Sequence, residues 1–131
     1  MESESVRGEG LPYDSDMGIR TSIWGTATWL LLGCIGRNYP VNPDEATKKK
    51  YYDFILSLGS VLPCGICRNN FAENAKSIGF SMDDMTSRET FSRLINRFHN
   101  IVNDRLRKSR GMNLSYEEHR GIFECMRAKC V

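Results

Sequence analysis

Apolar residues recur at helical spacing along most of the chain, and this pattern restricts the fold more than any other feature of the sequence. The clearest stripes are Tyr51, Phe54, Ile55, Leu58 and Leu62, and then Phe91, Leu94, Ile95, Phe98, Val102 and Leu106. Steps of three and four residues place such side chains on one face of an α-helix. No segment shows the sustained alternation of a half-buried strand. The sequence therefore predicts an all-α fold, a four-helix bundle with a short fifth helix.

Capping residues and prolines divide these stripes into separate helices. In chain order the predicted caps and breaks are Thr21 or Ser22, Pro43, Pro63, Thr86 or Ser87, and Ser115 with Glu118 three residues later. Hydroxyl side chains satisfy the free N–H groups at a helix start, and proline fits the first turn but not the interior. The third helix is predicted over about 64–77 and the fourth from about 88 to about 109.

The composition excludes several classes of protein. A chain of 131 residues with 40% hydrophobic and 26% charged residues can form a core and is unlike a disordered segment. Its formal net charge of +2 is too small for a nucleic-acid-binding surface. No apolar run approaches the roughly 18 residues of a membrane-spanning helix. We interpret residues 1–19 as a flexible lead, 20–124 as one domain and 125–131 as a tail.

Five cysteines are the first clue to function: Cys34, Cys64, Cys67, Cys125 and Cys130. The first residues lack the basic start and apolar stretch of a secretory signal, so an oxidising compartment is not indicated. In a reducing setting, cysteine pairs are more often metal-binding or redox-active than structural. Cys34 lies in an apolar helical stretch, which predicts an inert core thiol.

The strongest local motif is Leu62-Pro63-Cys64-Gly65-Ile66-Cys67. Proline ends one helix and Cys64 opens the next, where peptide dipoles and free N–H groups stabilise a thiolate. The pattern therefore predicts a redox-active disulfide. A zinc site is the alternative, with two further ligands among Cys125, Cys130, His99 and His119. A thioredoxin-like module is disfavoured because a helix, not a buried strand, precedes the motif.

A second group of residues lies along the predicted fourth helix. His99 and Asn103 share a face with Leu106, and Val102 lies beside them. Buried amides need hydrogen-bond partners, which a heteroaromatic ligand can supply. The cationic residues that follow are Arg105, Arg107, Lys108 and Arg110, which suit either a solvated helix end or a phosphate clamp. In the first helix, Trp24 is expected in the core, whereas Trp29 and Tyr39 can wall a planar cofactor.

Taken together, WGTATW with the later YP, LPCGICRNNF and HNIVNDRLRK resemble the Erv/ALR family of sulfhydryl oxidases over about residues 22–120. This family consists of FAD-dependent thiol oxidases built on a short helical bundle, and the length is most similar to its members from large DNA viruses. The resemblance implies that substrate thiols reduce Cys64, that Cys67 faces the flavin as the charge-transfer thiolate, and that dioxygen is reduced to hydrogen peroxide. The alternative is a zinc-binding or non-enzymatic helical interaction module.

The resemblance also implies a set of FAD-contacting positions. These are Gly25, Thr26, Trp29, Tyr39, His99, Asn100, Val102, Asn103, Leu106, Lys108 and Arg120. The chain departs from the family pattern at the adenine end: Gly33 replaces a usual histidine, Thr26 an arginine and Arg120 a tryptophan. A cysteine pair that often ties the fourth and fifth segments is replaced by Asn96 and Asn113.

The remaining expectations concern partners and place. Cys125 and Cys130 are the candidates for a shuttle disulfide, although a gap of four residues on a helix separates the thiols by more than one turn. The family implies a homodimer through the first helices, a thiol-containing protein or thioredoxin-like carrier as substrate, and neither nucleic acid nor membrane as partner. No resident metal is predicted. The expected location is the cytoplasm in a viral assembly setting, or the virion, with the mitochondrial intermembrane space as the alternative.

Overall fold

The computed structural model describes residues 17–105 and 113–128 of the chain. These residues contain five α-helices and one short 3₁₀ helix. The helices are α1 (Thr21–Asn38), α2 (Glu45–Ser60), α3 (Gly65–Ser77), the 3₁₀ helix (Met82–Met85), α4 (Arg88–Arg105) and α5 (Tyr116–Glu124). These residues contain no strand, so the predicted all-α fold is confirmed. Most of the predicted lead lies outside the described residues, as do Leu106, Arg107, Lys108, Arg110 and Cys130.

Three of the predicted helix starts agree with the local hydrogen bonds. Cys64 is the N-cap of α3. Thr90 N–H donates to Ser87 Oγ (3.2 Å) at the start of α4. Ser115 and Glu118 form the predicted capping box of α5. Such caps are decided within four residues of sequence, which is why the sequence alone locates them.

The starts of α1 and α2 differ from the prediction. The N-cap of α1 is Arg20, with no side-chain cap, and Thr21 is already helical. The N-cap of α2 is Asp44, whose carboxylate accepts from Thr47 N–H at 2.8 Å. Pro43 therefore precedes the helix instead of opening it. A free carboxylate acceptor caps better than the proline, which offers only a fixed φ.

The core lies where α1 and α2 pack against α4 and the 3₁₀ helix. Its fully buried members are Leu32, Tyr39, Ile55, Met85, Phe91, Leu94, Ile95 and Phe98. The α4 stripe predicted from the sequence supplies half of this set, because its period matches the helix. On α3, Phe71 stacks on Phe98 of α4 with ring centroids 5.0 Å apart. These contacts hold the start of α3, and thus Cys64, at a fixed place in the bundle.

A buried arginine fastens α5 to the bundle. The Arg37 guanidinium on α1 donates to Glu124 Oε2 (2.8 Å from Nε) and to Glu89 Oε2 (3.1 Å from Nη1). Its Nη1 also lies 3.2 Å from Ser92 Oγ and 3.2 Å from Tyr116 Oη. Tyr116 in turn donates a short hydrogen bond to Glu89. A single side chain of α1 thus joins α4 and α5. We call Arg37, Glu89, Ser92, Tyr116 and Glu124 the Arg37 network.

The charges of the Arg37 network change the acidity of its members. Two hydrogen bonds, the stronger effect from Arg127 and the weaker from Arg37, lower the pKa of Glu124 to about 2. The hydrogen bond from Tyr116, followed by that from Arg37, lowers the pKa of Glu89. Both carboxylates bind fewer protons in the folded than in the unfolded chain. Their contribution to stability is therefore present above about pH 4.5 and is lost as the pH falls towards 2.

His119 gives a second, separate pH dependence. Its side chain on α5 is 3% exposed, and burial, followed by the charge of Arg37, lowers its pKa. The unfolded chain therefore binds the extra proton, and stability falls as the pH drops below about 6.5. We expect the free energy of unfolding to fall less between about pH 7.5 and 5.5 in His119→Gln than in the wild-type protein. The two slopes should differ by at most about 1.4 kcal/mol per pH unit.

The urea midpoint of both proteins at the two pH values measures this effect. His99 is present in both proteins, so its own titration cancels in the comparison. Glu89 and Glu124 stay ionised in this range because their pKa values are lowered. Equal losses of stability in the two proteins would show that the protonation of His119 is not responsible.

Candidate active site

The CxxC motif forms a disulfide at the start of α3. Cys64 and Cys67 are bonded, with their Cα atoms 5.1 Å apart, and both residues are half-buried. Cys64 has an extended backbone, and Cys67 N–H donates to its Sγ at 3.2 Å. The sulfur atoms thus lie among the free N–H groups of the first turn. This environment favours a thiolate when the bond is opened, as the sequence predicted.

The loop before the disulfide is held from two sides. Arg68 Nη1 donates to Leu62 O at 2.7 Å. From the other side, Ile19 N–H donates to Pro63 O at 2.8 Å. Ile19 is fixed in turn, because Trp24 Nε1 donates to its carbonyl oxygen at 2.7 Å. The segment that leads into α1 therefore lies against the residue that precedes Cys64. No local sequence pattern indicates this contact, which joins residues 44 positions apart.

A stacked aromatic pair joins α1 and α4. The rings of Trp29 and His99 are nearly parallel, 4.4 Å apart and inclined by 9°, and both residues are half-buried. One turn before Trp29, Gly25 borders open space: a Cβ there would meet only Thr21 Cβ, at 4.0 Å. One turn after His99, Asn103 is buried. Two separated sequence motifs thus supply a planar aromatic surface, an accessible backbone and a buried amide.

Asn100 lies next to His99 but serves a structural contact here. Its Nδ2 donates to Leu114 O at 2.9 Å, and Leu114 N–H donates to its Oδ1 at 3.3 Å. The side-chain amide of Asn100 thus forms two hydrogen bonds with the backbone just before α5. Val102 is half-buried beside it. The predicted cofactor contacts of both residues stay predictions.

Tyr39 is placed in the core. Its ring has no exposed surface and makes edge contacts with Tyr51 and Phe91, at 4.9 and 4.8 Å between centroids. Its hydroxyl donates to Met85 O at 2.7 Å, and burial raises its pKa. The structure therefore gives Tyr39 a packing role, and its predicted contact with a cofactor stays a prediction.

The other predicted contacts are scattered. Thr26 is exposed on α1. Arg120 is exposed on α5 with its Nε 3.8 Å from Glu89 Oε1, an ion pair in solvent. Leu106 and Lys108 lie outside the described residues. Among the predicted cofactor contacts within the described residues, Trp29 and His99 are the two whose side chains the structure shows in contact.

Two aromatic residues of α5 lie against each other: Phe123, which no sequence pattern indicates, and His119, which the sequence offers only as a zinc ligand. The ring of Phe123 fills the space beside Gly33, where even a Cβ would overlap it. His119 lies against the same ring, with centroids 4.8 Å apart. Its Nδ1 is buried and has no hydrogen-bond partner among the described residues. A glycine within an apolar helix signals a close neighbour, but the sequence does not identify which residue it is.

The remaining cysteines are outside the core. Cys34 is exposed, so its prediction as a core thiol is wrong: it lies on the outward face of α1. Cys125 is exposed at the end of α5, and Cys130 lies outside the described residues. Their predicted pairing as a shuttle stays a prediction. Within residues 17–105 and 113–128, no three His, Cys, Asp or Glu side chains are grouped to hold a metal ion.

A sequence model of the Erv1/Alr family matches residues 26–121. The chain belongs to this family. The matched range contains the disulfide, the Trp29–His99 pair and all of α2, α3 and α4. The family resemblance predicted from the three motifs is therefore confirmed.

Several curated proteins are similar to this Erv1/Alr chain. A probable FAD-linked sulfhydryl oxidase of Acanthamoeba polyphaga mimivirus is 36% identical over 80 residues, covering 61% of this chain and 56% of the relative. The mitochondrial FAD-linked sulfhydryl oxidase ERV1 of Saccharomyces cerevisiae is 31% identical over 84 residues, covering 64% and 43%. A putative FAD-linked sulfhydryl oxidase of Invertebrate iridescent virus 3 is 29% identical over 92 residues, covering 70% and 62%. The chain spans about half the length of these relatives.

Solved structures agree with the bundle architecture. The FAD binding domain of Erv1 from Saccharomyces cerevisiae superposes with a TM-score of 0.72 at 22% identity, covering 82% of this chain and 96% of that one. The yeast Erv1 core gives a TM-score of 0.70 at 23% identity, with coverage of 81% and 85%. This similarity establishes the fold. Separately, no helix in the described part of the chain is both long and apolar enough to span a bilayer.

Proposed function

We propose that this protein is an FAD-dependent thiol oxidase that introduces disulfides into protein substrates. The observation that carries the proposal is the Cys64–Cys67 disulfide at the N-terminus of α3, in a bundle of the Erv1/Alr family. An oxidised cysteine pair at a helix start is suited to exchange, because the helix stabilises the leaving thiolate. In this proposal electrons pass from substrate thiols through this pair to FAD and then to dioxygen, giving hydrogen peroxide.

The residues present fit an FAD molecule. Trp29 and His99 offer planar aromatic surface, and Gly25 leaves room for a ligand beside the backbone of α1. The buried Nδ1 of His119 and the buried amide of Asn103 are groups of the kind that hydrogen-bond to a heteroaromatic ring or its ribose. FAD, when bound, supplies a two-electron acceptor that dioxygen can reoxidise. These five residues are the ones we assign to holding it.

The two cysteines have different roles in the proposal. A substrate thiolate attacks Cys64 Sγ, so that a substrate–Cys64 disulfide forms while the Cys64–Cys67 bond breaks and Cys67 leaves as a thiolate. A second substrate thiol then displaces Cys64, which completes the substrate disulfide and leaves both cysteines reduced. The hydrogen bond from Cys67 N–H favours negative charge at Cys64 Sγ in this second step. The cysteine pair has then gained the two electrons that the substrate lost.

The first test is the visible spectrum of the purified protein with an assay of oxygen uptake. We expect a yellow protein with about one flavin per chain that consumes oxygen when dithiothreitol is added. Protein that is colourless, and that gains no flavin after refolding with FAD, would falsify the proposal. Stoichiometric zinc in such protein, with loss of helicity on chelation, would support the zinc-module alternative. Neither flavin nor zinc would support a non-enzymatic helical module.

The proposal includes a homodimer through α1. This helix is apolar on two sides: Trp29 and Leu32 face the bundle, whereas a second stripe faces outward. The outward stripe consists of Ile23, Ala27, Leu30, Leu31 and Cys34, with Ile23, Leu30 and Leu31 about half exposed or more. Helices with apolar residues on all sides are normally buried on all sides. A second copy of α1 covers this stripe in the dimer that we propose.

Sedimentation velocity tests the dimer. We expect the wild-type protein to sediment at twice the chain mass of 15.0 kDa and Leu31→Glu to sediment as a monomer, because burying an unpaired carboxylate in the interface is costly. Val41→Glu is the control, since Val41 is similarly exposed but lies after α1. A monomeric wild-type protein, or a Leu31→Glu variant that remains dimeric, contradicts this interface.

The substrate and place of action complete the proposal. We assign a thiol-containing protein or a thioredoxin-like carrier as electron donor, and a viral assembly setting in the cytoplasm or the virion as location. The mimivirus and iridescent virus relatives support this setting. The yeast relative is mitochondrial, which keeps the intermembrane space as the alternative. Cys125 and Cys130 remain our candidates for a shuttle pair.

A further inference from the structure

Four large apolar side chains are exposed around the disulfide. Met17 is 75% exposed, Ile19 56%, Val61 68% and Ile66 65%. Val61 precedes Cys64 by three residues and Ile66 follows it by two. Met17 and Ile19 come from the segment before α1. We call these four side chains the apolar rim. Exposed apolar groups that cluster at a reactive site indicate a binding surface more than scattered ones do.

The backbone contacts hold the two parts of the apolar rim together. Gly18 has a φ of +73°, which glycine adopts without strain. A Cβ at this position would overlap the Pro63 carbonyl and lie 2.9 Å from Cys64 Cα. Ile19 N–H is hydrogen-bonded to the same carbonyl at 2.8 Å. The residues on either side of Gly18 are therefore fixed within a few ångströms of the backbone of Cys64.

We propose that the apolar rim selects the substrate of the oxidase: an extended polypeptide whose cysteine is flanked by apolar residues. This inference rests on the proposed function and uses the same disulfide. Attack on Cys64 brings the substrate sulfur into bonding distance of Cys64 Sγ as the bond to Cys67 breaks. The residues on both sides of the substrate cysteine must then lie over surface within two or three residues of Cys64. That surface is the apolar rim.

A pair of peptides tests the proposal on the wild-type protein. Each peptide is extended, contains one cysteine and has the same length and net charge; one has leucine and valine on both sides of the cysteine, and the other has serine and glutamine. We expect kcat/KM to be at least about tenfold higher for the apolar peptide, mainly through a lower KM. Dithiothreitol, which has no flanking residues, gives the reference rate. Equal kcat/KM for the two peptides overturns the proposal.

A variant of the apolar rim provides the second measurement. In Ile19→Ser/Val61→Ser, we expect the ratio of the two kcat/KM values to fall to near one, while turnover of dithiothreitol and the visible spectrum stay at the wild-type level. Val41→Ser/Met82→Ser is the matched control, because these side chains are exposed but lie elsewhere, after α1 and at the start of the 3₁₀ helix. A rim variant that keeps the preference for the apolar peptide contradicts the assignment.

The outcomes separate this inference from the proposed function. No flavin and no turnover of dithiothreitol in the wild-type protein defeats the oxidase proposal, and the substrate assignment is then wrong with it. Turnover of dithiothreitol without discrimination between peptides defeats only the substrate assignment. If the double variant loses helicity, the peptide comparison on the wild-type protein still decides.

Discussion

Cys64→Ser and Cys67→Ser are each expected to lower kcat/KM with dithiothreitol by at least about 10³-fold. The two sulfur atoms act as one unit, since each exchange step breaks a bond to one of them. Cys64→Ser removes the atom that substrates attack, and Cys67→Ser removes the leaving thiolate. Oxygen uptake at dithiothreitol concentrations well below KM measures the loss. More than a few per cent of wild-type activity in either variant is incompatible with the assigned roles.

Two other cysteines provide matched controls for this prediction. Cys34 and Cys125 are exposed and far from the CxxC motif in sequence. Cys34→Ser and Cys125→Ser are therefore expected to keep the wild-type rate with dithiothreitol. A Cys125→Ser variant that is active on dithiothreitol but slow on a reduced protein substrate would support the shuttle prediction. Equal rates on both substrates would contradict it.

Arg37→Met is expected to destabilise the fold by about 2–4 kcal/mol. The guanidinium is 5% exposed and contacts acceptors on α4 and α5, so its loss leaves Ser92 and Tyr116 short of a donor and two carboxylates beside an apolar group. The cost lies at the lower end for a buried ion pair, because the side chains of Glu89 and Glu124 keep partial access to water. Urea unfolding followed by circular dichroism measures the difference.

Lys49→Met is the control for Arg37→Met. Lys49 pairs with Asp53 at 2.8 Å on the exposed face of α2, and such pairs contribute at most about 0.5 kcal/mol. Both substitutions remove one positive charge and add the same side chain. If both variants lower the free energy of unfolding by the same small amount relative to the wild-type protein, the Arg37 network is not a major source of stability.

The sequence was sufficient where the determining contacts are local. The stripe on α4, the caps at Ser87 and Ser115, and the position of Cys64 at a helix start are all decided within a few residues. The pairing of Trp29 with His99 was approached only through the family resemblance, because 70 residues separate them. Local patterns thus locate the helices and the disulfide, whereas only the family resemblance connects motifs that lie far apart in the sequence.

The failures have physical causes that no local pattern contains. Cys34 was assigned to the core because α1 is apolar on both sides, and periodicity does not say which side faces the bundle. No local pattern marks Arg37, since its partner Glu124 is 87 positions away. Phe123 was overlooked because only the space beside Gly33 explains its place.

The attachment of α5 has a consequence for how the protein is made. Asn96 and Asn113 stand where the family often has paired cysteines, and α5 is fastened instead by Arg37 and by the Asn100–Leu114 hydrogen bonds. None of these contacts requires an oxidised thiol. The attachment of α5 can therefore form in a strongly reducing solution. In the oxidase that we propose, this attachment does not depend on the disulfides that the protein makes.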